Sequence, residues 1–403
     1  MTPEDTPLVV LALNPGSSSL KFALYAMGPG TPSKLAQGAV EHIGQAQGQL
    51  WLKRHGTERL SFSGAFADAA AAVKAVFGLL ERHALPEPGA VGHRFVSGGP
   101  RYLDHRVIDA AFLADIARLT EFAPLHLPAA ILGVHAVTAD WAHIPQVACF
   151  DTAFYRDLPA VSARLALPRR FWDEGVRRYG FHGLSYEFLV GELGEEASGR
   201  VIMAHLGNGA SMTAVKDRRP QDTTMGMTPG GGLIMGTRCG DLDPGIVVYL
   251  LRERGYGVDE LEGLLERESG LLGISGSTWD MQALLLRQDH DERARDAVEA
   301  FSFVAGKYAA AMASVLGGVD SLVFTGGIGE RAAAVRAEIC RRLAFAGVDL
   351  DESANARHDR RISSDASRVR VLVVPTDEEL VIARHTNRLV RALSGPESGA
   401  ARR

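Results

Sequence analysis

Short apolar runs near the start of the chain predict a strand hairpin. Residues 9–13 and 20–25 are apolar and strand-like, and residues 14–19 between them are rich in turn-forming Asn, Pro, Gly and Ser. The same plan recurs roughly half a chain later, in residues 201–215. Two similar hairpins, each opening one half of the chain, indicate an internal duplication.

Helical and strand-like patterns alternate after each hairpin. Apolar residues at helical spacing cover residues 65–83, 109–122, 292–316 and 378–393. Buried-strand patterns cover residues 90–95, 146–150, 321–324 and 369–374. This alternation predicts an α/β fold in which helices cover the faces of the sheets. Two segments lie outside the pattern, a polar surface loop at residues 353–367 and a frayed tail at residues 394–403.

Length and composition narrow the class of protein. A chain of 403 residues with 46% hydrophobic and 23% charged residues predicts two globular domains and a cleft between them. A formal charge of -5 offers no basic field for nucleic acid. The polar, acidic start is unlike a signal peptide, and no apolar run reaches membrane-spanning length. The 3 cysteines form no CxxC pair, so we expect neither disulfides nor structural zinc, and a cytoplasmic location.

Glycine-rich turns after predicted strands are candidate phosphate-binding sites, because small residues let backbone N–H groups approach an anion. Residues 14–19, with Lys21 two residues further on, have this character, and so do residues 205–209. Either turn alone is also an ordinary hairpin connection, since Asn-Gly is a common hairpin signal.

A third glycine turn, residues 325–330, introduces a rival function. Gly327, Gly329 and Ala332 satisfy a loose G-x-G-x-x-A dinucleotide pattern, which is typical of a Rossmann dehydrogenase that binds NAD. The turn lies late in the chain and lacks a convincing acidic partner after a following strand, which weakens that interpretation. The Walker pattern G-x-x-x-x-G-K-[ST] does not occur in the sequence.

Charged residues also interrupt segments that would otherwise be core. Arg94 lies within an apolar run, Asp151 follows one, and His182 lies among aromatic and glycine residues. Arg238 occupies a glycine-bracketed loop. Buried charges must be paired or bind a ligand. These residues are therefore either candidate site residues or members of a structural ion pair such as Arg94 with Asp151.

Together these segments resemble the signature motifs of the acetate kinase family, in family order from residue 8 to about residue 390. The matching segments are NPGSSSLK at 14–21, VGHR at 91–94, APLH at 123–126, FDTAF at 150–154, RYGFHG at 178–183, HLGNG at 205–209, GTR at 236–238 and TDEE at 376–379.

The resemblance implies a fold and an activity. The fold is the duplicated ribonuclease-H-like fold of actin and hexokinase, with the active site in an interdomain cleft. Its N-terminal domain would comprise residues 1–152 and 379–403, and its C-terminal, nucleotide-binding domain residues 153–378. The activity is reversible, direct in-line phosphoryl transfer, ATP + acetate = ADP + acetyl phosphate, with Mg²⁺ or alternatively Mn²⁺. A homodimer is also implied.

The resemblance further assigns roles to individual positions. Catalytic roles fall to Arg94, Asp151, His182 and Arg238. The metal would be held by Asn14 and Glu378. The carboxylate pocket would comprise Arg94, Val96, Leu125, Phe181 and Pro229. The nucleotide would contact Lys21, His205, Leu206, Gly207, Asn208, Gly209, Asp280, Met281, Gln282, Gly327, Ile328, Gly329, Glu330 and Arg331.

The chemistry is consistent with these assignments. A carboxylate is ionised at neutral pH and needs no general base to attack the γ-phosphoryl group, whereas the meeting of two anions demands charge neutralisation. The small apolar pocket favours acetate over propionate or butyrate, although one methylene discriminates by only about 1–3 kcal/mol.

The sequence departs from the family pattern at several positions outside the predicted catalytic set. These are Ser97, Leu127, Tyr155, Tyr186, Asp377, the segment 228–232 and the pair Met281 and Gln282. A nucleotide-dependent ATPase or sensor of the same fold remains a further alternative. Such a protein would not need two arginines and a histidine beside its phosphate turns, which favours the kinase.

Overall fold

Close contacts divide the chain into two compact units in the computed structural model, which describes residues 7–16, 18–54, 56–122 and 127–394. The first unit comprises Met1–Ala153 with Asp377–Arg403, and the second comprises Phe154–Thr376. Among the described residues, no helix is both long and apolar enough to cross a membrane.

The first unit is built on a mixed sheet with strand order β5-β4-β3-β2-β1-β6-β8-β7. Its strands are β1 (Leu8–Pro15), β2 (Ser19–Met27), β3 (Ser33–Glu41), β4 (Gly48–Arg54), β5 (Leu60–Gly64), β6 (Ala90–Phe95), β7 (Arg106–Val107) and β8 (Gln146–Phe150). Its helices are α1 (Ala69–Arg82), α2 (Ala110–Ile116), α3 (Leu127–Asp140) and, after the second unit, α15 (Glu378–Ser394). Strands β1 to β5 pair antiparallel, whereas β1, β6 and β8 are parallel.

The second unit has a sheet with the order β11-β10-β9-β12-β13. Its strands are β9 (Arg200–Leu206), β10 (Ala210–Lys216), β11 (Arg219–Thr223), β12 (Ser321–Thr325) and β13 (Arg370–Val373). Its helices are α4 (Ala160–Ala163), α5 (Arg169–Asp173), α6 (Gly183–Leu193), α7 (Pro244–Glu253), α8 (Val258–Gly263), α9 (Gly270–Ser275), α10 (Met281–Arg287), α11 (Glu292–Leu316), α12 (Gly326–Arg331), α13 (Ala333–Arg341) and α14 (Glu352–Arg357). Short 3₁₀ and π helices occupy Ala117–Phe122, Asp151–Tyr155, Gly194–Ala197, Leu264–Glu268 and Ala344–Ala346.

The two sheets share one topology. The order β3-β2-β1-β6-β8 in the first unit repeats as β11-β10-β9-β12-β13 in the second, with three antiparallel strands followed by two parallel ones in each. The prediction of a duplicated α/β fold is therefore confirmed.

Helices cover both faces of the first sheet. Helices α1 and α3 pack on one face, where Val73, Val76 and Val137 join Leu11 and Leu13 in the core. Helix α15 packs closely on β1 and β6. A Cβ at Gly92 in β6 would lie 2.5 Å from Ile382 Cγ2, so glycine is required for this approach.

The structure corrects three local predictions. Most of the turn predicted at residues 325–330 belongs to helix α12, because Gly326 adopts a φ of 78° and redirects the chain from β12 straight into the helix. The predicted loop 353–367 contains most of α14, whose N-terminus is capped by Asp351. The helix predicted at 109–122 divides into α2 and a 3₁₀ segment. Most of the predicted tail, residues 395–403, lies outside the described residues.

Candidate active site

The carboxyl ends of β1, β6 and β8 bring three predicted site residues together in the first unit. Parallel neighbouring strands end at the same sheet edge, where Asn14, Arg94 and Asp151 lie. Arg94 Nη2 is 2.6 Å from Asp151 Oδ2, and Arg94 Nη1 donates to Asn14 Oδ1 at 3.0 Å. The side chains of Arg94 and Asp151 are 15% and 1% exposed. The ion pair considered from the sequence is thus present, and it is buried.

The surroundings keep this arginine charged. Burial by itself lowers the pKa of Arg94, but the carboxylates of Asp151 and Glu378 outweigh burial and raise the pKa above its ordinary value. A permanent cation at the strand ends suits the recognition of a carboxylate or phosphate, since the guanidinium matches both in geometry.

Asn14 links the strand end to the first turn of α15. Its Nδ2 donates to Glu378 Oε2 at 2.8 Å and to Glu379 Oε1 at 2.9 Å. Burial, followed by repulsion from Glu378, raises the pKa of Glu379, while Lys21 lowers it. The two predicted metal ligands, Asn14 and Glu378, are therefore adjacent, and Glu379 is a third member that we did not predict. The carboxylates of Glu378 and Glu379 are oxygen donors of the kind that Mg²⁺ prefers, whereas the amide oxygen of Asn14 accepts from Arg94 in this structure.

Asp377, which directly precedes Glu378 and Glu379, anchors the start of α15. Its carboxylate accepts from Tyr25 Oη at 2.8 Å, from Lys34 Nζ at 2.6 Å and from Leu380 N at 3.0 Å. Burial and the negative charge of Asp377 raise the pKa of Tyr25, so the phenol keeps its proton. The sequence had marked Asp377 only as a departure from the family pattern.

The remaining predicted residues of the first unit have varied surroundings. Val96 is buried beside Ser97, whose Oγ accepts from Gly99 N at 3.1 Å. Leu125 lies outside the described residues. His93, next to Arg94, is a core residue; burial lowers its pKa to about 4, and Nε2 lies 2.7 Å from Gln146 Oε1.

In the second unit, two histidines stack beside the glycine turn between β9 and β10. The rings of His182 and His205 are 4.2 Å apart at 19°. His182 Nδ1 lies 2.9 Å from Ser211 Oγ, which is 2.7 Å from Tyr186 Oη, and His205 Nδ1 lies 2.8 Å from Ser185 Oγ. These contacts fix both rings, and His182 Nε2 is 3.2 Å from where a Cβ of Gly209 would stand.

Arg238 reaches the same glycine. Its Nη1 would lie 3.8 Å from a Cβ at Gly209 and donates to the carbonyl of Pro229 at 2.9 Å. Its Nε is 3.5 Å from Glu266 Oε2. Burial raises the pKa of Glu266 above its ordinary value, although the charge of Arg238 opposes this shift. The second unit thus brings His182, Arg238 and Gly209 together, and their roles in catalysis and nucleotide binding stay predictions.

The predicted nucleotide turns converge at one sheet edge, since β9 and β12 are parallel neighbours. A Cβ at Gly326 would lie 2.7 Å from Leu206 O, and one at Gly207 would lie 3.9 Å from Gly327 N. A Cβ at Gly236 would collide with Asn208 Oδ1. Gly326, with a φ of 78°, is therefore required for the close approach of the two turns, whereas Gly207 would accommodate a Cβ at ordinary contact distance.

Two further predicted nucleotide segments have local roles in the structure. Asp280 caps α10 by accepting from Gln282 N at 3.0 Å, and Met281 is buried behind it. Glu330 accepts from Gly326 N at 3.2 Å, while Ile328 and Arg331 belong to α12. Their contact with a nucleotide stays a prediction. Buried Arg336, which we did not single out, donates to Gly329 O at 2.9 Å and so supports this turn.

Comparison with known proteins shows the family to which the chain belongs. The profile of the acetokinase family matches residues 9–384. The chain belongs to the acetokinase family. The resemblance seen in the motifs is thereby confirmed, as is the enzyme class, a phosphotransferase that uses ATP as co-substrate. The match also decides against the dehydrogenase alternative.

Individual relatives cover nearly the whole chain. The acetate kinase of Methylocella silvestris is 44% identical over 94% of this chain and 96% of its own. A crystal structure of Porphyromonas gingivalis acetate kinase has a TM-score of 0.84 at 37% identity, covering 95% of this chain and 100% of that one. A propionate kinase structure from Francisella tularensis has a TM-score of 0.88 at 36% identity, with the same coverage.

Proposed function

We propose that this protein reversibly transfers the γ-phosphoryl group of ATP to acetate, forming ADP and acetyl phosphate by direct in-line displacement. The observation that carries the proposal is the placement of His182 and Arg238 against the Gly209 turn of the nucleotide-binding unit. A protein that only hydrolysed ATP would need the glycine turn but would have no use for this pair.

The proposed mechanism relies on charge rather than on proton transfer. The attacking carboxylate is already ionised, so the barrier lies in bringing two anions together in line. Arg94 would hold the carboxylate, and Arg238 would neutralise charge on the transferring group. Asp151, almost fully buried and ion-paired with Arg94, orients that guanidinium.

His182 would donate a hydrogen bond to the phosphoryl group from Nε2. This role requires that Nδ1 accept from Ser211 Oγ or that the imidazole be protonated. The chain from Tyr186 through Ser211 holds the ring in place for either case. Lys21 and the turns 205–209 and 327–331 would contact the phosphates, and Asp280 with its neighbours the base.

We propose that Asn14 and Glu378 hold Mg²⁺, with Mn²⁺ as an alternative. The bound ion supplies neutralisation of the ATP phosphates. Glu379 adds negative charge at the same place, and its shared contact with Asn14 aligns the two carboxylates.

Acetate is proposed as the preferred acceptor. The residues assigned to the methyl group of the acceptor are Val96, Leu125, Phe181 and Pro229, of which Val96 and Phe181 are buried apolar residues. Because an added methylene changes the free energy by only about 1–3 kcal/mol, we expect propionate to be a poorer substrate, about 10–200-fold lower in kcat/KM.

Several broader properties belong to the same proposal. The domains would be residues 1–152 with 379–403, and residues 153–378. The location would be cytoplasmic, in keeping with cysteines that form no disulfide. The chain would act as a homodimer, and the surface best suited to the contact is α7, whose exposed apolar residues include Ile246, Val248 and Tyr249.

The proposed function is tested by supplying Mg-ATP with acetate, propionate or butyrate. ADP formation is followed by a coupled assay, and acyl phosphate is trapped as the hydroxamate. We expect turnover in the order acetate, propionate, butyrate. ADP release without trapped hydroxamate would show that the protein is an ATPase instead. Faster turnover with propionate than with acetate would refute only the assignment of the acceptor pocket.

A further inference from the structure

A groove of about 410 Å³ opens on the first unit beside α2. The residues that matter in its lining are Arg101, Tyr102, Arg106, Phe112, Asp115 and Arg118. None of them belongs to the predicted catalytic, metal or nucleotide set. Its volume is in the range of small-molecule sites.

The lining of this groove is dominated by cations. Three arginines face one carboxylate, Asp115, which already bonds Arg101 and the hydroxyl of Tyr102. The hydrogen bond from Tyr102 lowers the pKa of Asp115, and Arg101 and Arg118 lower it further. The single negative charge of the lining is therefore engaged, and positive charge remains in excess.

Arg106 has a hydrogen-bonding capacity that the protein does not use. Its guanidinium lies over the rings of Tyr102 and Phe112, 5.0 and 5.4 Å from their centroids. Its Nη2 is 3.7 Å from Asp109, outside the lining. Its Nε is buried and has no hydrogen-bond partner among the described residues.

The floor of the groove is rigid. Tyr102 and Phe112 pack edge to face, with centroids 5.0 Å apart, and both lie against Phe150 at 6.1 and 6.2 Å. Phe112 also meets Phe95 at 5.7 Å. A site whose walls are already packed loses little conformational entropy when it binds a ligand.

We propose that this groove binds a small phosphate-bearing anion. Arginine forks match the tetrahedral oxygens of phosphate and form charge-assisted hydrogen bonds with them. The groove is larger than a phosphate group, so an organic portion would extend along Ala111 and Ala114. None of the lining residues belongs to the proposed phosphoryl-transfer set, so the proposal does not depend on the assignment of that set.

The test is calorimetric titration of the full chain with inorganic phosphate at constant ionic strength. The informative variant is Arg106→Gln with Arg118→Gln. The matched control is Arg54→Gln with Arg82→Gln, which removes the same charge from exposed positions of the same unit. We expect the first variant to lose one phosphate site or bind it at least about tenfold more weakly, since each 1.4 kcal/mol is a factor of ten. The control should match the native chain.

The comparison isolates the groove. Phosphate that binds at the proposed active site is retained in all three proteins, so only the difference between them reports on Arg106 and Arg118. Identical isotherms in all three would overturn the proposal. If the double variant does not fold, exposed Arg118→Gln alone serves, and an isotherm unchanged from native would again overturn it. No turnover is needed, so the outcome is independent of the proposed reaction.

Discussion

At the scale of single residues, Arg238 is held by contacts that leave its charge directed at the glycine turn. Pro229 O and Glu266 contact the guanidinium, and its Nη1 would lie 3.8 Å from a Cβ at Gly209. The backbone that carries Arg238 is also closely packed. A Cβ at Gly270, which has a φ of 63°, would lie 2.3 Å from Met235 O. Such fixation is what transition-state stabilisation requires, because a preorganised charge does not have to reorient during the reaction.

Replacing this residue should therefore affect the chemical step. We expect Arg238→Ala to lower kcat on the order of 10²–10³-fold, as for loss of one preorganised donor. The measurement is steady-state acyl phosphate formation with Mg-ATP and acetate. Arg219→Ala, at an exposed position of β11, is the control and should keep native turnover. Near-native kcat in Arg238→Ala, with an unchanged unfolding midpoint, would show that the assigned role is wrong.

The sequence singled out most of these residues as candidates because short motifs keep chemistry-bearing side chains next to glycine turns. It did not identify Glu379 or Asp377, because their partners Asn14, Tyr25 and Lys34 lie more than 340 positions away in the chain. No local pattern encodes such a contact; it arises when α15 packs back onto β1.

At the scale of elements, prediction succeeded where local signals were complete. The sequence predicted α11 with its observed bounds, since an apolar face runs between an Asp291 N-cap and a Gly317 C-cap. Strands β3 to β5 were not predicted, because they have mixed exposure and few continuous apolar runs. Helix α7 was not predicted for a related reason. None of its residues is buried, so its apolar residues do not form the core-facing stripe by which a helix is recognised.

The start of α15 is the element on which the proposed metal site depends. Asp377 caps the helix through Leu380 N and binds Tyr25 and Lys34, so it positions the turn that carries Glu378. We expect Asp377→Ala to reduce the free energy of unfolding by about 2–4 kcal/mol, from a lost N-cap and an unpaired buried phenol. Urea unfolding measures the loss of stability. We also expect the Mg²⁺ concentration that gives half-maximal turnover to be higher in this variant.

Asp377→Asn is the matched control for this prediction. Its amide oxygen can still accept from Leu380 N, so most of the cap remains and the loss should stay within about 1 kcal/mol. Equal unfolding midpoints for the Ala and Asn variants would mean that the cap contributes nothing, and an unchanged Mg²⁺ requirement in the Ala variant would separate this helix end from the metal.

At the scale of the whole molecule, the repeated sheet topology explains why each unit carries its own set of candidate site residues. In both units the polar side chains follow parallel strands, at β1, β6 and β8 in one and at β9 and β12 in the other. A duplicated fold thus provides two sets of strand ends on which different chemistry can be placed. The sequence indicated this duplication through its two hairpins alone.

The last prediction concerns assembly. Helix α7 and its flank expose Leu242, Ile246, Val248, Tyr249 and Leu251, each 40–48% exposed, and so wide an apolar surface on one element is typical of a protein contact. A two-fold axis would place the same helix of a second copy against it, because the interface of a symmetric dimer is self-complementary.

We expect the native chain to sediment as a dimer, and Ile246→Asp with Tyr249→Asp to sediment as a monomer, since two carboxylates on each copy would be buried against each other. Val161→Asp with Leu286→Asp introduces the same charge at exposed apolar positions of α4 and α10 and should remain dimeric. A native chain that is monomeric at all concentrations would refute the dimer, whereas a dimer that survives the α7 changes would place the interface on another surface.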